Sequence, residues 1–243
     1  MPPKMPAVTG SKPHLIYLHG FASGPDTTSK GAALRHALSA RLSSFLIPDL
    51  EGPDFHDLTM DSMVQRAEQA IAALPDDGAP LLLAGSSLGA WLAAWLAAAP
   101  AFNLARRPVA LLLISPAFTF VSRWRELLGD AGIAAWRSEG SRPFFHYRSQ
   151  SERSLGVGFL DSCQGLPDTP AAVAMPVTVV HGRQDELAPW RAALAYAEAA
   201  ADCRFHLLNE GHSLDSEAAC SLLIHCANEL LHRLESAPRG VPE

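Results

Sequence analysis

The chain is poor in the features that would assign it at once to several protein classes. Its four cysteines, Cys163, Cys203, Cys220 and Cys226, form no CxxC pair and show no regular spacing. They read as free thiols, not as a disulfide framework. No long basic run is present, and the formal net charge is −6. A nucleic-acid partner is therefore not expected, because its phosphates would have to be neutralised by Lys and Arg. No stretch reaches the roughly 18 uninterrupted apolar residues of a membrane span. The nearest, "WLAAWLAAAPAF", is cut by a proline. The N-terminal "MPPKMPAVTGSKPH" has no apolar core of a signal peptide. These absences lead to the expectation of a soluble, cytoplasmic protein. The tail "SAPRGVPE" is expected to fray.

What is present is ordinary globular composition: 243 residues, 48% hydrophobic and 18% charged. A chain of this length can bury most of its unfolded surface, so neither disulfide nor metal is needed to hold it together. Short apolar runs alternate with amphipathic ones. "HLIYLHG", "SFLIPDL", "PLLLAGS", "VALLLISPA", "PVTVVHG" and "CRFHLLN" read as strands. "SKGAALRHALSARL", "TMDSMVQRAEQAIAAL", "LGAWLAAWLAAAP", "WRAALAYAEAAA" and "DSEAACSLLIHCANELLHRL" read as helices, the second capped by Thr59. Near-continuous apolar strands, each followed by a helix, predict an α/β fold with a mostly parallel sheet covered on both faces. In such sheets, ligands bind beyond the carboxyl ends of the strands.

One region breaks the alternation. From Phe118 to about Pro170 no clear strand appears, while Trp124, Trp136, Phe144, Phe145, His146 and Tyr147 do. It is too long for a normal connection. It is expected to be a small helical insertion above the sheet ends, within a single domain spanning 1–243. A plain crossover helix with a surface loop is the alternative.

The chemistry is sought just after each strand. Gly85-Ser86-Ser87-Leu88-Gly89 is G-x-S-x-G with Ser87 at its centre, and it lies between a strand and a helix. Ser86 fails the pattern, since Ala84 and Leu88 flank it. A nucleophile on so tight a turn needs neighbours without Cβ atoms, and glycine supplies them. The turn would lift the Ser87 hydroxyl clear of the sheet at the positive end of the helix.

Serine alone is a poor nucleophile; it needs a base, and the base needs an orienting group. Asp185 follows the strand "VTVVHG", and His212 follows "CRFHLLN". The order Ser, acid, His suits a nucleophile elbow. Glu186, Asp215 and Asp161 compete as the acid. Asp185 is favoured because a loop after its strand can bring it to the imidazole. His19 is the rival base, but its place in "HGFASG" suggests that it shapes a loop. The backbone N–H groups of Leu88 and Phe21 are the expected oxyanion donors. Phe118, Trp124 and Trp190, with Phe21, are candidate walls of an apolar acyl pocket, or simply core and lid packing. No cofactor and no metal is expected.

Taken together, "YLHGFASGP", "GSSLGAW", "HGRQDELAP" and "GHSL" resemble the α/β-hydrolase superfamily, and look most like its small bacterial YqiA-type esterases. The likeness runs from His14 to about Leu234. It implies metal-free hydrolysis of a small-molecule carboxylic ester or thioester. Ser87 is then nucleophile, Asp185 acid, His212 base, and Phe21 and Leu88 oxyanion donors. Related chains often read GSSxGG, where this one has Ala90. Three activities remain open: an esterase, a thioesterase or acyl-protein deacylase with the same triad, and a non-catalytic ligand cup. Halide or epoxide hydrolysis is disfavoured, because the elbow carries serine where those reactions use aspartate.

Overall fold

The computed structural model describes residues 11–99, 102 and 104–236. Pro100, residues 1–10 and all but Ser236 of the tail singled out above lie outside that set. The strands β1 (His14–Leu18), β2 (Ser44–Leu46), β3 (Leu81–Ser86) and β4 (Pro108–Ile114) fall where the apolar runs predict them. They build one sheet with two later strands, β7 (Val177–Gly182) and β8 (Cys203–Leu208). The order is β2-β1-β3-β4-β7-β8, and every neighbouring pair is parallel.

Period-two alternation sorts the strand residues into two cores. Ile16, Leu18, Leu81, Leu83, Leu111, Leu113, Val177 and Val179 face one way. They are covered by α2 (Met60–Ala72), α3 (Leu88–Ala98) and α6 (Trp190–Ala199). Leu15, Tyr17, Leu82, Ala84, Leu112, Ile114 and Val180 face the other way. Against them lie α1 (Ser29–Leu38) and the last helix, α7 (Glu217–Ser236). Helices on both faces explain why these strands are apolar throughout rather than alternating. Thr59 caps α2 as expected: its side chain accepts from the Ser62 N–H, and the Ser62 hydroxyl answers the Thr59 N–H.

The segment between β4 and β7 holds α4 (Phe120–Glu139), α5 (Val157–Ser162) and an element the sequence reading did not contain. That element is an antiparallel hairpin of β5 (Ser141–His146) and β6 (Ser151–Gly156). "SRPFFH" and "SERSLG" lack a strand's apolar alternation because the two strands pair only with each other. α4 breaks at Gly129, whose φ is 64°. The hairpin is tied to the sheet domain by a buried pair, in which His146 Nε2 stands 2.7 Å from Glu51 Oε2. Arg148 adds ion pairs to Asp49 and Asp26.

Candidate active site

β3 ends at Ser86, and α3 begins at Leu88. Ser87 between them has φ 53° and ψ −121°. A non-glycine residue in that region costs about 1–3 kcal/mol and persists only where the surroundings impose it. Here they do. A Cβ on Gly89 would strike the carbonyl oxygens of Leu18 and His19, and one on Gly85 would come 2.5 Å from the Gly89 oxygen. The two glycines let β1, β3 and α3 close on one another and leave Ser87 at the apex.

Asp185 and His212 reach this apex from beyond β4. β7 and β8 are neighbours, so the loops after them run side by side. The Arg183 N–H donates to the Leu208 carbonyl at 2.7 Å, and the Gln184 N–H to the Glu210 carbonyl at 2.8 Å. The result is a row of side chains. The Ser87 hydroxyl lies 2.9 Å from His212 Nε2, and His212 Nδ1 lies 2.7 Å from Asp185 Oδ2. The other Asp185 oxygen accepts from the N–H groups of Leu187 and Ala188, at 2.9 and 2.8 Å. The Asp185 side chain has no solvent exposure. Burial alone would raise its pKa. Hydrogen bonds from His181, His212 and the Ala188 backbone outweigh it and hold the carboxyl well below the usual carboxylate range.

The rival residues have other partners. Asp161 pairs with Arg137 at 2.7 Å. Asp215 lies 3.8 Å from Lys30 on the rim, and the Glu186 carbonyl accepts from Arg123. His19 is buried. Its Nδ1 stands 3.0 Å from the Gly20 carbonyl, and its Nε2 accepts from the Leu50 N–H. It braces the loop that carries Phe21. Gly20 in that loop lies against the nucleophile, for a Cβ there would sit 3.3 Å from Ser87 Cβ.

A cleft of about 560 Å³ opens over Ser87 and His212, with Phe21 and Leu88 in its lining. Its apolar wall comes from Phe21, Trp124, Leu127 and Phe144. The Phe21 ring meets Trp124 and Phe144 edge-on at 5.4 and 5.7 Å. Two of the aromatics expected as pocket walls are elsewhere. Phe118 is fully buried and packs on Tyr196 at 4.9 Å, because its chain turns into the core under α6. Trp190 opens α6 under the Arg191 guanidinium, outside the cleft lining. Lys30 and Ser115 line the cleft, and the sequence reading missed both. Lys30 gives no local signal, because its link to the His212 loop (a hydrogen bond to the Ser213 carbonyl) is tertiary.

The profile of the Uncharacterised protein family (UPF0227) matches residues 14–213, a span that includes Ser87, Asp185 and His212. The chain belongs to this family, within the α/β-hydrolase superfamily. It is 25% identical over 237 residues to the mouse mitochondrial palmitoyl-protein thioesterase ABHD10, covering 93% of this chain and 78% of the relative. The human counterpart is 23% identical over 240 residues, with 93% and 76% covered. Among solved structures, mouse alpha/beta hydrolase domain-containing protein 10 superposes with a TM-score of 0.70 at 24% identity, over 93% of this chain and 92% of that one. Est1E from Butyrivibrio proteoclasticus gives 0.69 at 21% identity, over 92% and 90%. Among the described residues, this UPF0227 chain has no helix long and apolar enough to cross a membrane, and no group of three or more His, Cys, Asp or Glu arranged to hold a metal ion.

Proposed function

We propose that the chain is a serine hydrolase that cleaves carboxylic esters through an acyl-enzyme. The observation that carries this reading is the hydrogen-bonded row Ser87–His212–Asp185. His212 takes the Ser87 proton as the oxygen attacks the acyl carbon. Charge builds on the carbonyl oxygen, and the N–H groups of Leu88 and Phe21 receive it, each contributing roughly 3–4 kcal/mol. Collapse breaks the acyl–oxygen bond, and the leaving alcohol takes the proton from His212. Water, deprotonated by His212, then releases the acid and restores the Ser87 hydroxyl. Asp185, held anionic, orients the imidazole and balances its positive form.

The acyl group lies along Phe21, Trp124 and Phe144. The leaving group lies on the His212 side, since His212 must protonate it; there Lys30, Ser213 and Asp215 present a polar surface. The segment from about 118 to 170 acts as a cap that selects the acyl group, and Trp124 and Phe144 are its contribution. Four cysteines without a disulfide fit a reducing compartment such as the cytoplasm.

A thioester substrate is the second reading. The thioesterase relatives and the aromatic wall favour it. Matched oxygen and sulfur esters of one acyl group separate the two by kcat/KM. Ser87→Ala is expected to abolish turnover of a short p-nitrophenyl ester and labelling by a fluorophosphonate probe. Unchanged turnover in that variant would end the serine-hydrolase reading. A wild-type chain that binds esters without reacting with the probe would be a ligand cup.

A further inference from the structure

The row of three does not end at Asp185. His181 lies four residues earlier, within β7, and its side chain has no solvent exposure. Its Nε2 stands 3.1 Å from Asp185 Oδ2, the same oxygen that His212 addresses, and 3.0 Å from the Ala188 carbonyl. Its Nδ1 is buried and has no hydrogen-bond partner among the described residues.

These contacts settle the proton on the ring. Nε2 faces a carboxylate oxygen and a carbonyl oxygen, both acceptors only, so it must carry hydrogen. Nδ1 faces neither donor nor acceptor. A proton there would bury an N–H with nothing to receive it, leaving its desolvation uncompensated. His181 therefore carries hydrogen on Nε2, aimed at the outer flank of Asp185.

Resting on the serine-hydrolase reading above, we propose that His181 is a positioning residue for the reaction. Its Nε2–H and the Leu187 and Ala188 N–H groups grip the Asp185 carboxylate from two sides. One lone-pair direction on Oδ2 is left for His212. The Ala188 carbonyl, receiving the same hydrogen, ties the grip to the loop that brings Asp185 to the cleft. Without His181 the carboxylate gains freedom to turn about its last bond. His212 then loses the fixed partner that points Nε2 at Ser87.

The side-chain series His181→Leu, His181→Asn and His181→Gln tests this. Glutamine places an amide nitrogen as many bonds from Cβ as Nε2; asparagine places it at Nδ1 and cannot reach Asp185. Leu and Asn are expected to lower kcat by about tenfold or more, the worth of one hydrogen bond to a charged group, with KM unchanged. Gln should restore kcat to within about threefold. A Leu variant that is folded and keeps wild-type kcat, or a Gln variant that falls as far as Leu, overturns the proposal. Proton–nitrogen NMR of the wild-type chain reads the same point without any variant. His181 should show hydrogen on Nε2 alone, beside a downfield His212 Nδ1 proton that shifts in Leu and returns in Gln. Hydrogen on Nδ1 of His181 would also overturn it. Failure of the hydrolase reading is separate, since it would appear as a wild-type chain inert to the fluorophosphonate probe.

Discussion

The Trp124 indole lies nearly parallel to the Phe144 ring, with centroids 5.2 Å apart and planes at 19°. One ring belongs to α4 and the other to the hairpin, so the stack joins the two halves of the segment over the cleft. Both rings also touch the ring of Phe21, whose backbone N–H is the proposed oxyanion donor. In the proposed reaction, acyl selection and charge stabilisation would therefore share a wall. Trp124→Ala should leave kcat/KM for an acetyl ester near wild type. Its preference for a long or aromatic acyl group over acetyl should fall by about tenfold, the scale set by a methylene or more of lost apolar contact. An acyl-length series of p-nitrophenyl esters reads this directly.

Gly20 packs against Ser87. Gly20→Ala would place a methyl 3.3 Å from Ser87 Cβ and 3.5 Å from the Ser86 carbonyl. Either Ser87 or the Gly20–Phe21 peptide must give by a few tenths of an ångström. A shift of that size at an oxyanion donor should lower kcat by about tenfold, with little change in Tm. Equal kcat in the variant would argue against Phe21 as a donor.

Asp185→Asn keeps the shape of the side chain and removes its charge. The amide presents hydrogen where acceptors are needed, to His212 on one side or to the Leu187 and Ala188 N–H groups on the other. The imidazole loses its orientation and the balance for its positive form. kcat should fall by about 10⁴-fold, as in triads generally, while fluorophosphonate labelling slows rather than disappears.

Much of this candidate site was legible in the sequence, because Ser87, Asp185 and His212 each follow a predicted strand by no more than four residues. A loop at the carboxyl end of a parallel strand has little choice about which rim it joins. The hairpin was not legible for the opposite reason. Pro143 within β5, and Ser151, Glu152, Arg153 and Ser154 in β6, carry no burial pattern, and the pairing is set by docking onto Glu51 and Asp49. Phe118 and Trp190 were expected in the pocket on residue type alone. Which way a ring faces depends on the helix beside it. The i, i+4 spacing of His181 and Asp185 was visible, but contact depends on how the chain folds back after β7.

Asp77 offers a pH test away from the cleft. The Ala79 N–H, His14 and Arg106 lower its pKa to about 2 against a partial desolvation penalty. A carboxyl with a folded pKa below its unfolded value stabilises the fold above that unfolded value, near 3.8. The contribution fades as pH falls through about 2. The Tm difference between wild type and Asp77→Asn should therefore shrink steadily as the buffer is taken from about pH 4 toward pH 2. A difference that grows in acid would contradict this assignment.

The His146–Glu51 pair is buried on both sides, at 2.7 Å. Glu51→Ala leaves the imidazole without its partner in a dry setting. Breaking such a pair from one side costs about 3–5 kcal/mol. Urea unfolding should show a loss of that order, and the double variant with His146→Leu should recover part of it.

All six strands of the main sheet run the same way, which puts the proposed catalytic row at one end of the sheet and the strand entrances at the other. His14, Asp77 and Arg106 gather where the chain enters β1 and β3, a full strand's length from Ser87. Mutational drift at that entrance would be felt as melting temperature and leave turnover untouched. Tags, surface attachments or stabilising substitutions belong there.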